Sequence, residues 1–192
     1  MKKFNLILLI ILISFPVKSD IIIKPIIEGN IKAKIKMIVY ESLTCEHCAD
    51  FHKNVYPKLR ENYIDTGLAT IEFRSFPLDL AALNASKIAH CKNDGKSEIL
   101  HFLYTEQKKW VKGNTIEELN LNLKDLVDNQ KFGLNFDKCI NNKKIEDYVL
   151  EDRIKAIKKF KVNATPTIII NEEKFDKPLT FKNLKKFLEK LV

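Results

Sequence analysis

The chain lacks the partners that its cysteines would need to hold a structural zinc ion or a haem. Cys45 and Cys48 form one Cys-x-x-Cys pair, whereas Cys91 and Cys139 each stand alone. A common structural zinc site draws on two such pairs, and the second is missing. Covalent haem attachment needs a histidine directly after the second cysteine, and Ala49 occupies that place. A purely structural disulfide between Cys45 and Cys48 would close a ring of few residues and so remove little entropy from the unfolded chain. Together with the missing zinc and haem partners, this favours redox chemistry at the pair.

The N-terminal segment lacks the roughly 20 consecutive apolar residues that cross a bilayer. Residues 4–15 are almost wholly apolar, but they lie between the charged start at Lys2 and the small residues that end at Ser19. This order is typical of a secretory signal peptide. We therefore expect residues 1–19 to direct export and to be cleaved after Ser19.

Arginine is scarce, and the positive charge is dispersed. The net charge of +8 comes almost wholly from lysine, since Arg60, Arg74 and Arg153 are the only arginines. The lysines are scattered along predicted helical faces instead of forming one dense block. This pattern favours a solvated surface, and we expect no nucleic-acid partner.

The most informative feature is the motif Cys45-Glu46-His47-Cys48. It follows the apolar run at 35–40 and opens a predicted helix. The N-terminus of a helix has unpaired backbone N–H groups and the positive end of a dipole, and both favour a thiolate over a thiol. Because a thiolate is the form that attacks disulfides, the position predicts that Cys45 takes part in thiol–disulfide exchange.

Export also changes how the four cysteines are interpreted. Disulfides persist in exported proteins, and four cysteines allow three pairings. With Cys45 and Cys48 taken as the redox couple, Cys91 and Cys139 remain as a second pair, which we interpret as a structural disulfide.

The apolar pattern predicts strand–helix–strand, then a helical block, then strand–strand–helix. The predicted strands are 35–41, 68–76, 167–171 and 172–175, with a short leader or edge strand in residues 20–34, which include Ile21–Ile23 and then Pro25. The predicted helices begin at Cys45, with an interruption at Pro57, and continue at 79–91, 97–112, 115–130, 135–141, 144–160 and 180–191. This organisation predicts an α/β domain formed by residues 20–78 and 161–192, with an all-helical insertion at 79–160.

Two segments resemble a known family. Ser42–His52 resembles the active-site segment of DsbA-like thiol:disulfide oxidoreductases, and Val162–Thr167 resembles their cis-proline loop. The resemblance covers essentially the whole mature chain and implies a thioredoxin-like fold with an inserted all-helical subdomain. It also implies a second, structural disulfide between Cys91 and Cys139, as in one bacterial subgroup, and neither a cofactor nor a metal.

The resemblance implies a role for each residue of the two segments. Cys45 would be the exposed nucleophile that forms a mixed disulfide with substrate, and Cys48 the buried thiol that resolves it. His47, between them, would further favour the Cys45 thiolate. Pro166 would be cis and would place the backbone of Thr165 beside the sulfurs, where an extended substrate strand can pair with it.

The chain departs from the family pattern at two positions. Glu46 stands where proline is common, and its negative charge should oppose the neighbouring thiolate. Val39 occupies the position of the usual buried acid, six residues before Cys45, so Glu41 on the same strand face is the candidate replacement, with water as the alternative. The remaining histidines are expected to be surface or packing residues: His52, His90 and His101.

We therefore expect a monomeric, periplasmic oxidase that donates the Cys45–Cys48 disulfide to unfolded or partly folded exported proteins. A membrane quinone-linked partner would reoxidise it. Glu46 and Thr165 leave room for a reductase or isomerase instead, although residues 20–34 are too few for an N-terminal dimerisation domain. The third hypothesis is a non-enzymatic metal-binding or carrier protein that uses Cys45, His47 and Cys48.

Overall fold

The structure is a computed structural model that describes residues 22–192. Within this range, five strands form one sheet in the order β1-β3-β2-β4-β5. The strands are β1 (Ile26–Gly29), β2 (Ile35–Glu41), β3 (Ala69–Ser75), β4 (Thr167–Ile170) and β5 (Glu173–Lys174). β2 and β3 are parallel, and the other neighbouring pairs are antiparallel. The predicted signal peptide at 1–19 lies outside the described residues.

The edge strand lies within residues 20–34, where the sequence predicts a short leader or edge strand. β1 begins at Ile26, directly after Pro25, and not at the apolar residues before this proline, of which residue 21 lies outside the described range. Proline has no N–H to donate to a ladder, so pairing starts after it. The chain before Pro25 is bound instead by Asn93, whose Oδ1 accepts the N–H of Lys24 at 2.6 Å.

The helices cover α1 (Glu46–Asn54), α2 (Tyr56–Leu59), α3 (Leu80–His90), α4 (Glu98–Thr105), α5 (Gln107–Trp110), α6 (Ile116–Asp128), α7 (Phe136–Ile140), α8 (Lys143–Phe160) and α9 (Phe181–Leu188). The predicted interruption near Pro57 is present, since this residue lies in the first turn of α2. A π-helical turn at Arg60–Ile64 follows α2. The helix predicted over 97–112 is wrong as a single element, because it divides at Glu106 into α4 and α5.

Helices α3 to α8 all lie between β3 and β4 in the sequence. One apolar cluster joins sheet residues such as Val39 and Ile71 to residues of this helical segment such as Leu103 and Trp110. Trp110 is fully buried and donates its Nε1–H to the carbonyl oxygen of Leu103 at 3.0 Å. The helical segment and the sheet therefore share a core, and α1 lies at their junction. Residues 22–192 form no helix with the length and apolar character to cross a bilayer.

Candidate active site

Cys45 lies where the loop after β2 becomes α1. Its backbone N–H donates to the carbonyl oxygen of Ser42 at 3.0 Å, which turns the chain after the strand. The hydroxyl of Thr44 donates to Oδ2 of Asp79 at 2.7 Å, and Asp79 is the N-cap of α3. Cys45 itself is the N-cap of α1. Its sulfur therefore lies at the end of the helix where backbone N–H groups have no intrahelical partner.

Gln107, the first residue of α5, binds this loop from the helical segment. Its buried Nε2 donates to the carbonyl oxygens of Leu43 at 2.8 Å and Cys45 at 3.0 Å. No sequence motif pointed to this residue, because it lies 62 residues after Cys45 and the contact depends on the packing of α5. Without it the carbonyl oxygen of Leu43 would lose its buried hydrogen bond, whereas that of Cys45 still accepts from the backbone N–H groups of Cys48 and Ala49, so Gln107 holds the loop chiefly at Leu43.

The electrostatics of the motif favour a thiolate at Cys45. The pKa of Cys45 is lowered to about 5, and the largest cause is its hydrogen bond with the side chain of Cys48. Burial acts in the opposite direction, while Thr165 and the backbone N–H groups of Cys48 and His47 lower the pKa further. In the reduced protein, Cys45 is therefore mainly a thiolate at neutral pH.

Cys48, one helical turn further, has the opposite character. It is fully buried, and burial raises its pKa far above that of an ordinary thiol. Cys45 and the negative charge of Glu41 raise it further. Both cysteines of the motif are free thiols in this structure. The pair thus consists of an accessible thiolate and a buried thiol that holds its proton.

The proline loop meets the motif from the other side. The Thr165–Pro166 peptide bond is cis, and the carbonyl oxygen of Thr165 lies 3.4 Å from Sγ of Cys45, which donates to it when protonated. The Thr165 hydroxyl is buried and, among the described residues, has no hydrogen-bond partner of good geometry, yet it lies close enough to lower the pKa of Cys45. The structure thus brings Cys45, Cys48, Thr165 and Pro166 together.

The two middle residues of the motif point away from the core. The side chains of Glu46 and His47 are exposed. His47 acts on Cys45 through its backbone N–H. The expected influence of the His47 imidazole and of the Glu46 carboxylate on the thiolate stays a prediction.

Glu41 lies beneath the motif as a buried acid. It ends β2 and is 3% exposed. Oε2 lies 2.7 Å from Nε2 of His52, while Oε1 is buried and has no hydrogen-bond partner among the described residues. Val39, at the usual position of the family's acid, is an apolar core residue. Glu41 therefore brings a carboxylate near Cys48 from two residues further along the strand.

His52 and His101 pack against aromatic rings, as expected of packing residues, and they also form hydrogen bonds with each other and with buried acids. Their Nδ1 atoms lie 3.1 Å apart, and Nε2 of His101 lies 2.7 Å from Oε1 of Glu28. One signal in the sequence could have identified His52, since it follows Cys48 by four residues and so lies on the same face of α1. His90 is buried and packs against Tyr148, as expected of a packing residue.

The other two cysteines lie in the helical segment. Cys91, the C-cap of α3, and Cys139 in α7 form a disulfide across 48 residues. This is the pairing expected once Cys45 and Cys48 are taken as the redox couple, and it is also the pairing that the family resemblance implies. Among residues 22–192, no group of three or more His, Cys, Asp or Glu side chains is placed to hold a metal ion.

Two cavities flank α1. The first, here called the proline groove, has a volume of about 890 Å³ and includes His47, Phe51, Pro166, Leu179 and Phe181 in its lining. The second, here called the histidine pocket, has a volume of about 730 Å³, and its lining includes His52, Tyr56, His101 and Tyr104. The proline groove therefore adjoins the cis-proline loop, whereas the histidine pocket opens onto the polar groups beneath the motif.

Comparison with known proteins agrees with this geometry. The family model described as Thioredoxin matches residues 23–190. The crystal structure of Wolbachia pipientis alpha-DsbA1 superimposes with a TM-score of 0.75 at 32% identity, covering 94% of this chain and 93% of that one.

Proteins that are similar to this chain in sequence are named for disulfide chemistry. A Rickettsia bellii relative that carries the name protein-disulfide oxidoreductase is 32% identical over 149 residues, 74% of this chain and 55% of the relative. A Bacillus anthracis relative named disulfide bond formation protein D is 28% identical over 171 residues, 84% of this chain and 76% of the relative. The chain spans about half the length of the rickettsial relatives that it matches. By fold and by sequence, the chain belongs to the thioredoxin family, as a member of the DsbA-like thiol:disulfide oxidoreductases.

Proposed function

We propose that the protein is an exported oxidase of the DsbA type, which transfers the Cys45–Cys48 disulfide to newly translocated proteins through a mixed disulfide. The observation that carries the proposal is the position of Cys45 at the N-terminus of α1, where its pKa is lowered to about 5. A stabilised thiolate stabilises the reduced form, and a stable reduced form makes the disulfide a stronger oxidant.

The transfer proceeds in two exchange steps. A substrate thiolate attacks Sγ of Cys45 in the disulfide form, and the Cys45–Cys48 bond breaks as the new mixed disulfide forms. Cys48 leaves with the electron pair and takes up one proton. A second substrate thiolate then attacks the substrate sulfur of the mixed disulfide, and Cys45 leaves as a thiolate. The substrate has gained a disulfide, and the protein has gained two electrons and one proton.

The proline groove supports a broad choice of substrate. Its apolar residues Phe51, Leu179 and Phe181 lie next to Pro166, and the backbone of Thr165 is beside the reacting sulfur. An extended, unfolded segment can pair with that backbone and place apolar side chains in the groove, without any need for a particular sequence. Unfolded or partly folded exported proteins fit this description.

The remaining parts of the proposal concern location and turnover. Residues 1–19 have the pattern of a signal peptide, which supports action in the periplasm. A membrane partner linked to the quinone pool would accept the two electrons and restore the Cys45–Cys48 disulfide. A reductase or isomerase is the alternative, since the exposed charge of Glu46 lies beside Cys45. No observation in the described residues favours the metal carrier.

A transfer assay tests the proposal. Oxidised protein is mixed in equimolar amount with a reduced, unfolded protein whose native form has one disulfide. We expect one disulfide to pass to the client for each Cys45–Cys48 disulfide lost, while Cys91–Cys139 stays oxidised. Cys45→Ser is the control and should transfer none. If the reduced protein instead cleaves the client's disulfide and the oxidised protein transfers none, the protein is a reductase.

A further inference from the structure

A chain of four polar side chains runs from beneath the motif to the histidine pocket. Oε2 of Glu41 lies 2.7 Å from Nε2 of His52, and Nδ1 of His52 lies 3.1 Å from Nδ1 of His101. Nε2 of His101 in turn lies 2.7 Å from Oε1 of Glu28. The four residues come from β2, α1, α4 and β1, so only the folded chain brings them together.

The hydrogen bonds of this chain require a shared proton. Each carboxylate is an acceptor, so Nε2 of His52 and Nε2 of His101 both carry a hydrogen. The two Nδ1 atoms face each other at 3.1 Å, and two bare nitrogen lone pairs would repel at that distance. One proton between them makes a hydrogen bond and gives the imidazole pair one positive charge. Moving the Nε2 proton of His52 onto Glu41 leaves every hydrogen bond of the chain in place.

Exposure increases along the chain. The side chains of Glu41 and His52 are 2% and 6% exposed, whereas those of Glu28 and His101 are 15% and 24% exposed. His52 and His101 both line the histidine pocket, whose volume of about 730 Å³ has room for water. The inner end is therefore sealed from solvent, and the outer end can exchange protons with it.

The outer end is held as a fixed anion. Burial alone would raise the pKa of Glu28, but hydrogen bonds from His101, Ser97 and Tyr56 outweigh it and lower the pKa to about 2. Glu28 thus stays a carboxylate at neutral pH and keeps a hydrogen on Nε2 of His101. It therefore fixes which imidazole nitrogen is protonated.

Side chains from several other elements face His52. Glu41 meets it from β2, Tyr56 from α2, and His101 and Tyr104 from α4, where the ring of Tyr104 stacks on His52 at 4.0 Å. Burial raises the pKa of Tyr104 well above its ordinary value, so it stays neutral. Apart from Cys48, one turn earlier on α1, the charged groups around His52 are therefore the members of the chain itself.

The groups that face His101 belong to the same set. Glu28 meets it from β1, His52 from α1, and Tyr56 stacks on its ring from α2 at 4.6 Å. Burial, together with the hydrogen bond to Glu28, raises the pKa of Tyr56 far above its ordinary value, so it too stays neutral.

The reaction needs such a chain because Cys48 is fully buried. Its sulfur must gain a proton when the disulfide is reduced and lose one when the disulfide re-forms. Glu41 lies close enough for its charge to act on Cys48, and its Oε1 is buried with no partner among the described residues. The carboxylate is thus free on the side that His52 does not occupy.

We propose that Glu41, His52, His101 and Glu28 form the path along which protons pass between Cys48 and the water of the histidine pocket. The proposal rests on the proposed exchange at Cys45 and Cys48. Glu41 exchanges the proton with the reacting thiol. The two histidines carry it, and Glu28 positions His101.

The loss of the Cys48 proton can be measured while a disulfide such as oxidised glutathione reoxidises the reduced protein. The Cys45 thiolate attacks one glutathione sulfur, and the other half leaves as a thiolate. The proton of Cys48 then passes to Glu41 and on through the histidines to water, and the Cys48 sulfur attacks Sγ of Cys45. The bond from Cys45 to glutathione breaks, and glutathione leaves with that electron pair. Glutathione is reduced, and the cysteine pair is oxidised.

The kinetics of this reaction separate the two steps. At low concentrations of oxidised glutathione the rate reports the attack by Cys45, and at high concentrations it reaches a plateau that reports the attack by Cys48. For Glu41→Gln and His101→Gln, we expect the plateau rate near neutral pH to fall at least about tenfold and to rise more steeply with pH. The second-order rate of the first step should stay within about twofold of the wild type.

Two further variants distinguish a proton path from a structural role. His90→Gln removes a buried histidine outside the chain and should leave the plateau rate unchanged. In His101→Ala, whose cavity adjoins the histidine pocket, added imidazole should restore much of the plateau rate. An unchanged plateau in Glu41→Gln and His101→Gln would overturn the proposal, as would a loss that keeps the wild-type pH profile and does not respond to imidazole. A protein that exchanges at the wild-type plateau but transfers no disulfide to clients would instead contradict the proposed oxidase function.

Discussion

Sγ of Cys45 lies 3.4 Å from the carbonyl oxygen of Thr165, a residue 120 positions later in the chain. This contact joins the N-terminus of α1 to the cis-proline loop and places the reactive sulfur beside backbone that can pair with a substrate strand. The two halves of the candidate site therefore meet only because β4 pairs with β2 in the centre of the sheet.

Removal of the Cys48 side chain should weaken the thiolate at Cys45. The hydrogen bond with Cys48 is the largest cause of the lowered pKa of about 5, so Cys48→Ala should raise the pKa of Cys45 toward that of an ordinary thiol. The rate of alkylation by iodoacetamide as a function of pH measures this pKa in the reduced protein. If the profiles of the wild type and Cys48→Ala coincide, the thiolate owes its stability to the backbone N–H groups of the helix and to Thr165.

The stability of the reduced protein should depend on pH through Cys45. The pKa of this thiol is about 5 in the folded protein, below its value of 9.0 in an unstructured chain. The thiolate's contribution is thus full above the unfolded value, and it is lost as the pH falls through the folded value. Cys45→Ser should therefore lower the free energy of unfolding much more near pH 8 than near pH 4, under the same reductant. An equal loss at both pH values in urea titrations would contradict the pKa assigned to Cys45.

Gln107 should be needed for the geometry of the active-site loop. Gln107→Leu leaves the carbonyl oxygen of Leu43 without its donor and removes one of the hydrogen bonds to the carbonyl oxygen of Cys45, which should cost about 1–3 kcal/mol of the free energy of unfolding. We also expect a shift in the alkylation profile of Cys45. Gln130→Leu, in the turn after α6, is the matched control and should change neither quantity. A stable Gln107→Leu protein with an unchanged profile would show that the loop does not depend on this residue.

The disulfide between Cys91 and Cys139 should stabilise the fold without setting the chemistry. It closes a loop of 48 residues in sequence, for which chain entropy predicts a contribution of about 4 kcal/mol. We expect the Cys91→Ala/Cys139→Ala double variant to lose about 2–4 kcal/mol in urea unfolding. Its alkylation profile at Cys45 should match that of the wild type, and a marked shift would mean that the disulfide helps to position α1.

Much of the fold followed from local patterns. β2 occupies Ile35–Glu41 as predicted, because β-rich alternation is a short-range signal. α6 begins at Ile116, next to the predicted start at 115, because the capping box of Thr115 and Glu118 is also a short-range signal. The bounds of the edge strand within residues 20–34 have no such local signal, since they depend on pairing with β3 and on the contact of Asn93 with the chain before Pro25.

Only part of the candidate site could be predicted from the sequence. The Cys45–Cys48 motif and the Thr165–Pro166 loop have short signatures, and the structure places them together. The contacts of Gln107 with the loop and of His101 with α1 have no such signature. They join residues 49 to 64 positions apart, and they arise from the way in which the helical segment packs on the sheet.

The most direct test of the account is the equilibrium reduction potential of Cys45–Cys48 against glutathione. The fraction of each cysteine that remains oxidised can be read by differential alkylation, with the Cys91→Ala/Cys139→Ala variant confirming the assignment. The stabilised thiolate predicts an oxidising couple, nearer to about −120 mV than to the roughly −270 mV of a reductase. A value near about −270 mV would contradict the proposed oxidase and favour a protein that removes disulfides.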